Sequence, residues 1–401
     1  MGRAPLRVLF CCTGVGILNR GIESFFREAF DNLHAAPGLE ARLVKGGGPA
    51  TELERVVRCI PRTSALAVAI GTVARRNAYV AEQWSSFLPV ARQIRRFRPE
   101  VVFYSNANLG FLLYWFRRWI GVPYRLLFSN GGPCRPPFVR LDFVHQVNPV
   151  YRAEALRAGE PAQKHVMVPY GLRVGAPPRD GDDGLRLALR ERLALPADRP
   201  VVLSVGWISR AHKRMHYVVE EVARLPGPRP FLMLLGAMDR SSDEIIRLAH
   251  ERLGPGGFAS RSVPYHEVAP YYAAADCFVL ASLSEGFGRV FLEALAHGLP
   301  VIAHEHPVME YVLGDHGVLA DLSVEGALAR HLRQVLARPA DARAMRQRWD
   351  WVRRRFDWSA LAPGYQRMFE RAAHAPLPDL RARTAPAPGA WSVLGRAGQR
   401  R

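Results

Sequence analysis

Residues 6–34 read LRVLFCCTGVGILNRGIESFFREAFDNLH. Leu6 to Cys12 is a short apolar, β-rich run, Gly14 and Gly16 interrupt it, and from Gly21 to His34 the apolar residues recur at three- and four-residue spacing. Strand, glycine loop and helix in that order open a doubly wound α/β domain. Similar strand-like runs stand at Glu100 to Tyr104 (EVVFY), Arg125 to Ser129 (RLLFS), Phe143 to Val147 (FVHQV) and His165 to Pro169 (HVMVP), with helical patterns between them. The first half is therefore expected to be a parallel sheet with crossover helices.

Residues 175–183, GAPPRDGDD, lack apolar periodicity, so the stretch 173–198 is read as an interdomain linker. A second series of strands is expected at Pro200 to Val205 (PVVLSV), Phe231 to Leu235 (FLMLL), Cys277 to Leu280 (CFVL) and Pro300 to Ala303 (PVIA). The second half thus repeats the architecture of the first without repeating its sequence. With 401 residues, 49% of them apolar, the chain can build two cores. The expected division is residues 1–172 and 199–357, and residues 375–401, rich in Pro, Ala and Arg, are expected to be disordered.

The formal charge is +19, and residues 1–175 hold 24 Lys and Arg against 11 Asp and Glu. A basic surface of this kind concentrates anionic partners such as acidic polysaccharide, phospholipid headgroups or lipid-linked pyrophosphates; ordinary solvated faces are the alternative. No recognition-helix signature accompanies the charge, so nucleic acid is not expected as a partner. Arg92, Arg95, Arg96 and Arg98 form a cluster, and residues 111–118 (FLLYWFRR) join aromatic to basic side chains. That run suits either a core helix or contact with the anionic cytoplasmic leaflet. Cys11, Cys12, Cys59, Cys134 and Cys277 show no C-x-x-C spacing, which points to reduced thiols and a cytoplasmic protein. Arg7 and the glycines break the first apolar run, unlike a signal peptide, and stretches such as Ala65 to Val73 fall short of the roughly 20 residues that span a bilayer.

The segment from Ser284 to Ala303, SEGFGRVFLEALAHGLPVIA, carries most of the chemistry. Glu285 and Glu293 flank a Gly286-Phe287-Gly288 loop at a helix start. Eight residues correspond to about 12 Å along a helix, too far for one acid/base pair but suited to the two ends of an extended ligand. A nucleotide sugar is such a ligand, with hydroxyls at both ends for carboxylates and a diphosphate between them for the helix N-terminus. Upstream, residues 205–214 (VGWISRAHKR) place Arg210, Lys213 and Arg214 beside a glycine turn, where cations can meet a diphosphate. His145, His212, His216, His304 and His306 lack metal-site spacing, and no D-x-D ends a strand, so neither a metal nor another cofactor is expected.

On the E-x7-E segment, the Gly206 to Lys213 element, the VPYG stretch at Val168 to Gly171 and Gly21-Ile22-Glu23, the sequence resembles the retaining group 1 glycosyltransferases of the GT-B fold. Residues 271–280 (YYAAADCFVL) and Phe356-Asp357-Trp358 extend the likeness. The resemblance implies two Rossmann-like domains facing a cleft, with a helix at 358–374 returning to the first. It implies transfer of a hexose-type sugar from a UDP or GDP donor to a sugar, lipid-linked or polysaccharide acceptor. Glu293 would then bind ribose, Glu285 the transferred sugar, and Gly286, Phe287 and Gly288 the same sugar through their backbone. Lys213 would meet the diphosphate, Val263 to His266, with Tyr265, would hold the base, and Gly14 and Gly16 would approach the phosphates from the first domain. Lys213, Glu285 and Asn130 are the expected catalytic residues. Three departures stand out: Trp207 occupies the position of a family arginine, whose charge Arg210 or Arg214 would supply; residues 128–132 (FSNGG) stand where the family offers a His; and the opening loop, residues 13–23 (TGVGILNRGIE), is longer than a plain G-G-x-E. The rivals are a non-catalytic nucleotide-sugar binder or scaffold, and an epimerase or phosphorylase of the same fold.

Overall fold

The computed structural model describes residues 4–18, 20–62, 64–74, 77–132, 134–178, 183–338 and 341–377. In the N-terminal half, β1 (Leu6–Cys12), β2 (Leu39–Lys45), β3 (Glu54–Val56), β4 (Val101–Tyr104), β5 (Arg125–Asn130), β6 (Phe143–Gln146) and β7 (His165–Met167) form one parallel sheet in the order β3-β2-β1-β4-β5-β6-β7. The helices of this half are α1 (Gly21–Leu33), α2 (Ala65–Val73), α3 (Tyr79–Ser85), α4 (Phe87–Phe97), α5 (Ala107–Trp115), α6 (Arg117–Ile120) and α7 (Pro149–Arg157). Alternation along β1 feeds both faces of the sheet. Val8, Phe10 and Cys12 join a core with α1, while Leu9 and Cys11 join a second core with α4 and α5.

The C-terminal half opens with α8 (Asp183–Arg192) and repeats the plan. Its strands β8 (Val201–Val205), β9 (Phe231–Leu235), β10 (Phe258–Arg261), β11 (Cys277–Leu280), β12 (Val301–His304) and β13 (Val318–Ala320) run parallel in the order β10-β9-β8-β11-β12-β13. Around them lie α9 (Met215–Ala223), α10 (Ser242–Leu253), α11 (Ala269–Ala274), α12 (Arg289–Ala296), α13 (Pro307–Leu313), α14 (Ala327–Leu336) and α15 (Ala342–Phe356). In each sheet the strand order turns back once, between β1 and β4 and between β8 and β11. Loops leaving the carboxyl ends of such neighbours diverge to opposite faces and leave a crevice between them. The architecture is thus the expected pair of doubly wound α/β domains.

The chain passes between the halves twice, at one place. Leu172 pairs in parallel with Asp357, the Leu172 N–H donates to the Phe356 carbonyl at 2.8 Å, and the Asp357 carboxylate accepts from the Val174 N–H at 3.0 Å. From there α16 (Trp358–His374) lies on the N-terminal half, where Phe369 meets Phe10 and Phe103, and the Tyr365 hydroxyl donates to the Pro169 carbonyl at 2.9 Å. The core on this face continues across the junction into the second sheet.

Several elements differ from the sequence expectation. The stretch read as linker contains α8, pinned by Arg186 and Arg190 on the Asp276 carboxylate. Strands β2, β3, β10 and β13 were not expected, and each lies at or next to a sheet edge, where charged residues interrupt the apolar pattern or the strand is short. Within residues 111–116, Leu113 of α5 is buried in the core while Trp115 and Phe116 are exposed. No two of the five cysteines are joined. Ala375 holds the Arg125 guanidinium through its carbonyl at 2.7 Å, and residues 378–401 of the expected disordered tail lie outside the described residues.

Candidate active site

The crevice at the β8/β11 reversal gathers the loop after β8, which carries Lys213, and the loop after β11, which carries Glu285. The Lys213 ammonium donates to Glu285 Oε1 at 2.5 Å, both side chains being mostly buried. The Lys213 stem passes Gly206 in van der Waals contact, 3.4 Å from where a Cβ there would stand. Two side chains 72 residues apart thus meet as one charged pair.

Gly288, with φ +77°, ends the Glu285 loop and α12 begins at Arg289. The seven residues between the two glutamates are therefore a loop plus one helical turn, and the 12 Å helical separation does not apply to them. Glu293 is buried, its Oε1 accepting from the Tyr265 hydroxyl at 3.0 Å and its Oε2 from the Tyr272 hydroxyl at 2.9 Å. Burial pushes its carboxyl above the ordinary range, and Arg289 opposes that shift. The Tyr265 hydroxyl also lies 2.8 Å from Glu28 Oε1 of α1. One phenolic proton serves one carboxylate at a time, so Tyr265 is shared between Glu28 of the first half and Glu293 of the second.

Arg289 was not singled out in the sequence. It is 6% exposed, and its Nη2 donates to Glu28 Oε1 at 2.7 Å across the domain junction. Its Nε and Nη1 have no hydrogen-bond partner, so a buried cation with unused donors stands at the first turn of α12. Asn148 and Tyr151, also missed, reach over from the start of α7. The Asn148 amide donates to the Gly286 carbonyl and the Tyr151 hydroxyl to the Glu285 carbonyl, both at 2.9 Å. The N-terminal half thereby fixes the backbone of the glutamate loop. Phe287 turns inward, its ring 5.4 Å from Tyr170 and 6.0 Å from Phe356 at the junction.

The remaining expected residues divide. Arg210 is exposed and pairs with Glu244 of α10 at 2.8 Å, while Arg214 donates to the Leu322 carbonyl at 2.7 Å. Trp207 is half exposed beside them. Val263 is partly buried against the core just before Tyr265. Gly14 and Gly16 are required by the chain itself. A Cβ on Gly14 would stand 2.3 Å from the buried Glu23 carboxylate, and one on Gly16, at φ +81°, 2.2 Å from the Gly47 carbonyl. Asn130 is fully buried, its amide donating to Gln146 Oε1 and the Cys134 carbonyl and accepting from the Cys134 N–H. Its hydrogen-bonding capacity holds the loop after β5.

His145, on β6, belongs to the core. Burial lowers its pKa to about 4, so the ring is neutral, with Nε2 donating to the Val168 carbonyl at 2.7 Å and Nδ1 accepting from Ser129 at 3.1 Å. Among the described residues, no three His, Cys, Asp or Glu side chains converge as a metal cage.

Residues 186–350 match the family model described as "Glycosyl transferases group 1". The chain is 35% identical over 151 residues to a lipopolysaccharide core biosynthesis glycosyltransferase of Rhizobium meliloti, covering 37% of this chain and 43% of that protein. It is 33% identical over 200 residues to a D-inositol 3-phosphate glycosyltransferase of Xylanimonas cellulosilytica, covering 47% and 48%. The chain therefore spans about half, or less, of the length of these curated relatives. Among solved structures it resembles a sucrose-phosphate synthase from Thermosynechococcus elongatus, with TM-score 0.73 and 20% identity over 91% of this chain and 98% of that one. It also resembles Anabaena HepE in complex with UDP-glucose, with TM-score 0.69 and 15% identity over 91% and 99%. The described chain has the two-domain GT-B fold, and its C-terminal half carries the sequence match to the group 1 glycosyl transferases.

Proposed function

We propose that the protein transfers a hexose-type sugar from a nucleoside-diphosphate donor to an acceptor, with retention of anomeric configuration. The observation that carries this reading is the Lys213–Glu285 pair at the strand reversal, one loop away from Glu293 on α12. The match of residues 186–350 and the likeness to a structure solved with UDP-glucose support it. On donor binding the pair separates: Glu285 takes a hydroxyl of the transferred sugar, Lys213 takes the diphosphate, and Glu293 takes the ribose hydroxyls. As the sugar–phosphate bond breaks, negative charge grows on the departing diphosphate. Lys213 and the free N–H groups at the start of α12 stabilise it, and the acceptor oxygen attacks the same sugar face.

The resemblance to a lipopolysaccharide core enzyme favours cell-surface glycoconjugate synthesis at the cytoplasmic face of the membrane. We infer that no divalent metal is needed, because Lys213 and the helix N-terminus supply the charge. Activity should then survive excess chelator, and a strict, restorable dependence on magnesium or manganese would overturn this.

Lys213→Ala and Glu293→Ala should each weaken nucleotide-sugar binding by roughly 1.5 to 3 kcal/mol while the protein stays folded. A panel of nucleoside diphosphates read by thermal stabilisation identifies the base, since a ligand at 100 times its dissociation constant adds about 2.7 kcal/mol. Unchanged donor affinity in both variants would sink the assignment. Asn130, spent on its own loop, favours one rival, a nucleotide-sugar binder without catalysis. Sugar transfer or donor hydrolysis by the purified protein decides between them.

A further inference from the structure

Helix α2, ALAVAIGTV, carries no charge along its length. A nine-residue helix packed on a globular domain ordinarily buries its apolar stripe, yet here only Ala67 and Gly71 are buried. Leu66 is 57%, Val68 55% and Val73 87% exposed. The same helical layer, formed by α2 to α6 over one face of the N-terminal sheet, exposes Trp84, Leu88, Trp115, Phe116 and Trp119. Two of these aromatics share one buried ring: Phe87 lies 5.2 Å from Phe116 and 6.1 Å from Trp119. Large apolar side chains gathered on one face mark a binding surface.

The charge around this face has one sign. Residues 57–120 contain ten arginines and two acids, Glu82 and Glu100. Glu82 is spent on Arg62 and Thr13, and Glu100 accepts from the Arg7 N–H. Arg92, Arg96 and Arg118 are exposed, and the Arg95 guanidinium lies 4.1 Å over the Trp119 ring. Apolar and indole side chains fringed by arginines match the boundary between acyl chains and anionic headgroups, where a surface helix sits with its apolar side 5–10 Å deep.

We propose that the outer face of α2 to α6 docks on an anionic lipid bilayer. The placement also bears on the acceptor. Arg62, just before α2, pairs with Glu82, which accepts from the Thr13 hydroxyl directly after β1. The docking face thus adjoins the carboxyl edge of the N-terminal sheet at its strand reversal, so a bilayer-anchored acceptor reaches the cleft from the lipid surface. This extends the proposed function to a lipid-linked acceptor, while docking itself uses no donor-site residue.

The test is co-sedimentation of the full chain, without donor, with phosphatidylcholine vesicles containing no or about 30% phosphatidylglycerol, at low and high salt. Binding should require the anionic lipid and weaken with salt. The triple variant Leu66→Ser/Val68→Ser/Val73→Ser should bind about tenfold more weakly, with nucleotide-induced thermal stabilisation unchanged as the check on folding. Recovery in the supernatant with both vesicles, wild-type vesicle binding by the triple variant, or a stable dimer that covers this face would each overturn the proposal. Loss of nucleotide binding with vesicle binding intact would instead strike the donor-site reading alone.

Discussion

Burial lifts the Glu293 carboxyl, and Tyr265 and Tyr272 occupy its two oxygens. In the role proposed for Glu293, ribose hydroxyls bind best to the ionised form, so donor affinity should be full above the raised pKa and fall as pH drops through it, sooner on the acid side than for an ordinary glutamate at about 4.3. Calorimetric donor titrations over a pH series check this, and Glu293→Gln should flatten the acid limb. His145 predicts a stability effect. Its folded pKa of about 4 lies below the value of 6.5 for a free imidazole, so between those values the unfolded chain binds more protons. Stability is complete above pH 6.5 and is lost as pH falls toward 4, by about 3 kcal/mol in all. Denaturant unfolding at several pH values should show that slope, reduced in His145→Asn. Lys213 and Glu285 were legible because each stands in a short motif. Arg289 and Glu28 were not, because they lie 261 residues apart and neither carries a local signature. Asn130 was legible as a polar strand end, but its fate depends on Gln146 of the adjacent strand, which spacing does not reveal.

The elements most visible in the sequence are those buried on both faces. β4, β5, β8, β9 and β11 are almost entirely buried, and their apolar runs admit no other reading. β2, LEARLVK, breaks that signal with Glu40 and Arg42, and β10 is only partly buried along its length. The loop joining β1 to α1 gives the sharpest test at this scale. Val15 accepts through its carbonyl from both the Gly46 and Gly47 N–H groups, drawing the two glycine loops together. Gly16→Ala adds a methyl group against the Gly47 carbonyl at a left-handed φ, and backbone cannot rotate aside. Destabilisation of roughly 1–3 kcal/mol should follow in urea unfolding, and an unchanged midpoint would mean that the 46–48 loop shifts freely.

The two halves are held by polar as well as apolar contacts. The Glu28 carboxylate faces Arg289 and the Tyr265 hydroxyl of the second half and, at 3.3 Å, accepts from the Trp358 indole at the start of α16, so one side chain of α1 ties the junction together. Glu28→Ala leaves a buried guanidinium uncompensated and should cost about 3–5 kcal/mol, much of which Arg289→Met in the same chain should restore. A double-mutant cycle read by thermal unfolding measures the coupling, and additive effects would show that the pair contributes nothing jointly. The crossing at Leu172 and Asp357 carries a different kind of consequence. Since the chain leaves the first half and re-enters it at adjacent residues, everything from 173 to 356 is topologically an insertion with its ends together. The matched segment 186–350 falls wholly inside it. Such a cassette can be exchanged between lineages, or by an engineer, with two cuts at one point and no rethreading of the remainder. The two halves are thereby free to have separate ancestries.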